Sequence, residues 1–367
     1  MKKIHRTLNL FTVAAMCTAL LCSCGAVPDS SQTDSSSKAA TTTTADTTAD
    51  TTTTGEASST ASATSAPDSS VSDSSSAVTD DTKTNGITPA MWKVTSPEGN
   101  TMVMLGSFHA LKDECYPLPE AVTNAYNNAD ILAVECDITS TSEDGEYMKN
   151  LMKQMLYNDN TKLSQHISEE AYSALQTYLG YWGMDISALE VYRPWAVSST
   201  LDTLLIQDSG FDSEKGLDNY LLTTAHADGK EIYEVESVDF QMNLLINFSD
   251  DIYDLMFRSY KGETKESQKQ ALEDLYTAWK SGDIETFLEE DNEEELAGYT
   301  EEDKKIAEDY NKQMLYDRNK NMAKAAEDLM SQGKNVFYVV GAAHYAGEGG
   351  IIDLLEKDGY TAERVQY

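Results

Sequence analysis

Basic residues are scarce in this 367-residue chain, where 27 Lys and Arg stand against 62 Asp and Glu for a formal net charge of −35. So acidic a surface repels phosphate backbones and anionic headgroups, which argues against nucleic acid and against anionic lipid surfaces as partners. The N-terminal tail contributes some of that charge, and the helical stretch between Asp250 and Asp328 contributes more. The acidic runs Glu289 to Glu295 and Glu301 to Asp303 lack the ligand spacing of a calcium loop and read as solvated helix faces. Cysteine is also scarce. Of five, Cys17, Cys22 and Cys24 fall in the first 24 residues, and only Cys115 and Cys136 remain beyond them. Those two are open to pairing outside a cell or to staying as buried thiols. Histidine occurs only five times.

No long apolar run opens the chain. Leu8 to Leu21 is interrupted by Asn9, Thr12 and Thr18, too short and too broken for a membrane helix of ~20 apolar residues. Behind Lys2, Lys3 and Arg6 it reads instead as the core of an export signal. It closes on Leu21-Cys-Ser-Cys24, which looks like a lipobox with Cys24 as the lipid-modified residue, although Cys22 sits where a small residue is usual. The alternative is an ordinary secreted protein. Residues 25 to 85 hold no aromatic side chain and are nearly all Ser, Thr, Ala and Asp. They cannot bury enough apolar surface to offset chain entropy, so they read as a disordered tether. Residues 86 to 367 are long enough for one substantial domain.

Within that domain, apolar strand-like runs alternate with amphipathic helical ones. Met91-Trp-Lys-Val-Thr and Thr101-Met-Val-Met-Leu flank Ser96-Pro-Glu-Gly-Asn100 and predict a hairpin. Ile131 to Asp137, Glu231 to Glu236 and Asn335 to Val340 predict further strands, and Arg364-Val-Gln-Tyr367 a possible edge strand. The nearly continuous apolar character of the run from Ile131 suits a strand covered on both faces. Helices are predicted after Pro119, over much of 147 to 208 with a start at Arg193-Pro-Trp195, and, following a polar loop from Phe211 to Asp218, through Ala227. Leu272, Leu275, Tyr276 and Trp279 form one core stripe, and another helix carries Arg318, Asn319 and Met322. The pattern implies α/β, and its short β links imply a mixed sheet flanked by helices.

Two tetrapeptides stand out, Gly106-Ser-Phe-His109 and Gly341-Ala-Ala-His344, each directly after a strand-like run. Each histidine is thereby delivered just past a strand end, where open α/β sheets hold their ligand crevices. Glu135 in Ala-Val-Glu-Cys-Asp137, Gly216-Leu-Asp218, Glu236, Gln241, Trp279-x-x-Gly-Asp283 and Arg318-Asn319 accompany them. Together these resemble the TraB/PrgY/GumN family, which is related to the Tiki metalloproteases. The resemblance implies an erythromycin-esterase/ChaN-like α/β fold with two Gly-x-x-His motifs at strand ends. It also implies a metal-dependent peptidase or amide hydrolase acting on a peptide or protein.

His109, Glu135, Glu236 and His344 come from four strand ends. As donors they suit Mn²⁺, Co²⁺ or Zn²⁺ with an open position for water. The candidate catalytic residues are Glu135, His109, His344 and Arg318; the candidate ligands are His109, Glu135, His344 and Glu236; Asn319 and Arg193 are candidate substrate contacts. Plainer readings stand beside these. Glu135 needs a partner if buried, and Arg318 could supply a structural ion pair; Glu236 could be solvated; Asp137 reads as a loop acid; His166 and His226 read as surface residues. Two rival functions remain, a metal-independent hydrolase using a His/Glu pair and a non-catalytic peptide-binding module. The expected location is outside the cytoplasm, anchored in the cell membrane through lipid on Cys24, or secreted. Mass spectrometry of the membrane fraction should find lipid on Cys24, and limited proteolysis should trim the chain to a fragment starting near residue 86; a stable fragment retaining residue 60 would contradict the tether.

Overall fold

The computed structural model describes residues 85–139, 144–288 and 299–367. The expected signal region 1–24 with Cys24, almost all of the expected tether 25–85 and the acidic run Glu289 to Glu295 lie outside the described residues. The described part is α/β, built on a mixed six-stranded sheet. The strands are β1 (Met91–Thr95), β2 (Thr101–Ser107), β3 (Ile131–Val134), β4 (Glu231–Glu234), β5 (Val336–Gly341) and β6 (Thr361–Arg364). Their order across the sheet is β4-β3-β5-β2-β1-β6. Adjacent strands from β4 to β2 are parallel, while β1 runs antiparallel to both of its neighbours.

Side-chain pattern dictates this order. Every residue of β3 and β5 is buried, as expected of strands with helices on both faces. At the sheet's edges, β4 and β6 bury none of their residues fully. The hairpin β1–β2 closes over the Ser96 to Asn100 cluster, with Thr95 opposite Thr101. The edge strand β6 falls three residues earlier than its sequence prediction, because Thr361–Arg364 supplies the backbone that pairs with β1. Likewise β3 stops at Val134, which leaves Glu135 just outside the ladder instead of inside it. Cys115 and Cys136 are buried free thiols.

Two apolar cores build the domain. One surrounds the sheet and takes in Phe337, Tyr338, Leu132, Met104, Tyr276 and Trp279. The other lies among the helices Glu169–Gly180, Pro194–Asp208, Val238–Ile246, Asp250–Ser259 and Glu301–Asn311, around Tyr178, Trp195, Tyr253, Phe257 and Tyr310. The stripe expected around Trp279 is core, with Leu272, Leu275, Tyr276 and Trp279 all buried. Because β2, β3, β4 and β5 are parallel, their C-terminal ends lie along one edge of the sheet, where the two cores meet.

Phe337 sits on β5 with no exposed surface, flanked by Val103 on β2 and Leu132 on β3. Phe337→Ala should lower unfolding free energy in urea by about 3–5 kcal/mol; an unchanged midpoint would contradict its place in the central core.

Candidate functional site

Four strand ends deliver four of the predicted residues. Glu135 follows β3 directly, Glu236 lies two residues past β4, His109 lies two past β2, and His344 sits in the short turn after β5. Three of them, His109, Glu135 and His344, line a cleft of about 150 Å³ together with Arg318 and Gly341, while Glu236 lies behind Arg318 and outside the lining. Both motif glycines are needed for close approach. A Cβ on Gly106 would lie 3.0 Å from Cα and Cβ of Ala342, so the first motif leaves room for the second. A Cβ on Gly341 would lie 3.1 Å from Glu135 Oε1 and 3.3 Å from His109 Nε2. The carboxylate and both imidazoles therefore gather around one bare point of backbone.

Glu135 is held by three donors. The Gly341 N–H donates to its Oε1 (2.7 Å). Arg318 Nη2 (2.7 Å) and Gln241 Nε2 (2.9 Å) donate to Oε2. His344 Nε2 stands 3.7 Å from Oε1, beyond hydrogen-bond reach. Burial alone would raise the pKa of this carboxyl, but the Arg318 charge, aided by the histidines, holds it well below the usual carboxylate range. Arg318 also grips Glu236 through two bonds, Nε to Oε1 at 2.9 Å and Nη2 to Oε2 at 2.8 Å. Gln241 Nε2 donates to Glu236 Oε2 as well (2.6 Å). Glu236, expected among the metal ligands, thus has both oxygens committed to Arg318 and Gln241.

Arg318 is aimed by an irregular helix. The helix Glu301–Asn311 widens to a π-turn over Lys312–Tyr316 before continuing as Asp317–Ser331. Such widened turns free backbone carbonyls, and here Arg318 Nη1 donates to the carbonyl of Met314 (3.1 Å).

The histidines are anchored from behind in different ways. His109 Nδ1 pairs with Asp218 Oδ2 at 2.8 Å. The backbone Leu217 N–H donates to the carbonyl of Phe108 (3.0 Å), which brings the start of the Leu217–Asp228 helix to this strand end. Burial opposes a charge on His109, but the Asp218 carboxylate outweighs it and pushes the pKa up to about 9, although the side chain keeps 38% of its exposure. His344 is 4% exposed and has the opposite fate. Burial, reinforced by the Arg318 charge, drives its pKa down to about 3. Asn319 Nδ2 donates to the carbonyl of Gly349 (2.9 Å), so its amide oxygen faces His344 and accepts from Nδ1 (2.6 Å). The Nε2 lone pair of His344 is left toward Glu135.

Asn319, expected at the substrate, therefore stands behind His344 as its orienting partner. Arg193, the other expected substrate contact, begins the Pro194–Asp208 helix and lies outside the cleft lining. His226 pairs with Asp137, and His166 with Asp250 and Thr161, away from the cleft lining. Two residues carry roles that spacing does not reveal, Asp218 behind His109 and Gln241 between the two carboxylates. Their only sequence signal is position, in Gly216-Leu-Asp218 and five residues past Glu236.

The donor chemistry suits a divalent metal. Each imidazole has one nitrogen fixed by a partner outside the site, which is how metal-binding histidines are commonly oriented, and Glu135 stands between them. Even so, no group of three His, Cys, Asp or Glu stands at coordinating spacing among the described residues.

The profile of the TraB/PrgY/gumN family matches residues 90–364, which span every strand and every site residue just described. The chain belongs to the TraB/PrgY/gumN family. It is similar to the uncharacterized protein YbaP of Escherichia coli (strain K12), 26% identical over 157 residues, 43% of this chain and 56% of that one. It is also similar to a protein named metalloprotease TIKI homolog from Nematostella vectensis, 24% identical over 293 residues, covering 68% of this chain and 61% of the relative. Metalloprotease TIKI2 of Danio rerio is 24% identical over 188 residues, 47% of this chain and 36% of the relative. The chain thus spans little more than half the length of the first two relatives. No solved structure matches it.

The two histidines should shape stability against pH in opposite directions when metal is chelated. His344 resists protonation until about pH 3, whereas an unfolded histidine takes its proton near ~6.5; between these values the unfolded chain binds more protons, so stability falls as pH drops. His109 keeps its proton to about pH 9, so from ~6.5 upward the native state binds more and stability falls as pH rises. Urea melts across this range should show His109→Gln losing the alkaline decline and His344→Gln losing the acid one. An unchanged profile in either variant would contradict the corresponding assignment.

Proposed function

We propose that the cleft hydrolyses peptide or amide bonds, with His109, Glu135 and His344 holding a divalent ion, Mn²⁺, Co²⁺ or Zn²⁺. The observation that supports this most is the convergence of two imidazoles and one carboxylate on the bare Cα of Gly341, each imidazole anchored from behind. The distant relatives named as metalloproteases support the same reading. A bound ion would supply Lewis acidity toward a carbonyl oxygen and acidify water near neutral pH.

The chain's own residues supply the rest. Asn319 keeps Nδ1 of His344 protonated and its Nε2 free. Asp218 orients His109. Arg318 keeps Glu135 ionised and, with Gln241 and the Gly341 N–H, restricts its motion. The apolar cleft residues Leu245, Leu275 and Met314 exclude bulk water, which strengthens every charge interaction inside.

A metal-independent hydrolase is the second reading. It is favoured by the 2.7 Å ion pair that already neutralises Glu135 and by the lack of a three-donor group among the described residues. In that scheme Glu135 Oε1 takes a proton from the attacking water and passes it to the amine that leaves as the C–N bond breaks, while protonated His109 polarises the scissile carbonyl. Under either scheme the substrate is a peptide or protein met outside the cytoplasmic membrane. Lipid on Cys24 would hold the domain there, or the protein would be secreted.

Metal content and hydrolysis of a fluorogenic peptide library should be measured after loading with Mn²⁺, Co²⁺ or Zn²⁺. His109→Ala, His344→Ala and Glu135→Gln should each reduce the rate by about 10²–10⁴-fold, and the histidine variants should lose the ion. Activity that survives chelation but needs His109 or Glu135 would select the metal-independent scheme. Wild-type protein that binds no ion and cleaves nothing, yet retains peptides, would reject hydrolysis in favour of a capture module.

A further inference from the structure

One carboxyl in the cleft takes no part in the chemistry above. Asp202 lies in the helix Pro194–Asp208 and is 6% exposed, yet it lines the same cleft as His109, Glu135 and His344. It has no hydrogen-bond or ion-pair partner among the described residues. Leu205 and Ile206, at i+3 and i+4 on the same helix, share its face and also line the cleft. Across the cleft stand Leu272 and Leu275 of the helix Lys265–Ser281.

A buried carboxyl with no partner is costly, and such groups are normally hydrogen-bonded or paired. Burial pushes its pKa up, which disfavours the charged form in the empty cleft. The neighbouring acids are each accounted for: Glu135 and Glu236 by Arg318, and Asp218 by His109. The whole chain is strongly acidic, with a formal net charge of −35. A cation entering the cleft meets a favourable field, and its arrival would allow Asp202 to ionise. A cation on a long methylene stem fits best, because the stem can lie against Leu205, Leu272 and Leu275 while its head reaches the carboxyl.

We propose that Asp202 forms a recognition subsite for a basic side chain, lysine or arginine, of the peptide that occupies the cleft. This rests on the reading of the cleft as a peptide site, and it names the residue class that site prefers. Asp202 is a specificity residue here, and it touches substrate away from the scissile bond.

The test is direct binding, measured with chelator present so that no metal-assisted turnover intervenes. Calorimetric titration of the full mature chain with Ala-Lys-Ala, Ala-Arg-Ala and Ala-norleucine-Ala amides compares two cations with a neutral isostere. A basic peptide should bind at least about tenfold more tightly than the norleucine peptide, the scale of one hydrogen bond to a charged group. A lysine optimum points to a point charge on Asp202 and an arginine optimum to a bidentate pair. Asp202→Asn should abolish the preference while leaving norleucine-peptide affinity unchanged. Equal affinities in wild-type protein, no measurable binding of either basic peptide, or a preference that survives in Asp202→Asn would overturn the proposal. The wild-type comparison decides even if the variant fails to fold. Basic-peptide binding without any hydrolysis would uphold the subsite and sink the hydrolase; hydrolysis without a basic preference would do the reverse.

Discussion

The site depends on the buried contact of one guanidinium with two carboxylates. Arg318 joins Glu135, at the end of β3, to Glu236, past the end of β4, and all three side chains are at most 11% exposed. Removing such charges from water is expensive, and the arrangement persists because its bonding is nearly complete: three donations from Arg318, two from Gln241 and one from Gly341. Breaking a buried pair of this kind by deleting one partner costs on the order of 3–5 kcal/mol. Taken alone, Arg318 adds little net stability compared with an apolar residue of its size. What it does is keep Glu135 charged and stationary against two histidines, in a place where burial would otherwise protonate it.

The histidines show how one sheet edge gives two imidazoles opposite states. Each follows a Gly-x-x spacer, and Glu135 lies near both. The difference lies in what stands behind the ring. A carboxylate behind His109 draws a proton onto it, whereas the amide oxygen behind His344 brings no countercharge, and burial together with the Arg318 charge keeps that ring neutral. One cleft thus holds a group able to donate a proton and another offering a lone pair, which is useful to either hydrolytic scheme.

The parts of this design legible in the sequence are those encoded locally. Gly-x-x-His after an apolar run, or a glutamate ending one, is a short-range pattern, and the parallel sheet carries such ends to one edge. The α/β class and mixed sheet follow from the same periodicities. Supporting contacts were not legible, because they join residues far apart whose types are unremarkable alone: Asp218 meets His109 across 109 positions, and Gln241 meets Glu135 across 106. Asn319 and Glu236 were recognisable as residues of interest, but only packing shows that one faces the back of His344 and the other faces Arg318. For Arg193, a helix start resembled a site because Arg-Pro-Trp is conspicuous, while its backbone N–H is simply tied to the carbonyl of Met155 (2.8 Å).

The π-turn over Lys312–Tyr316 carries a further consequence. It amounts to one surplus residue in an otherwise continuous helical path, and everything beyond it is rotated by about 100° relative to an uninterrupted α-helix. Arg318 and Asn319, adjacent in sequence, serve Glu135 and His344 only at that rotation. Deleting a single residue from this turn would leave a better helix, with more regular hydrogen bonds, and would swing both side chains off their partners together. Insertions and deletions here are therefore constrained by the reading frame of the helix rather than by its stability.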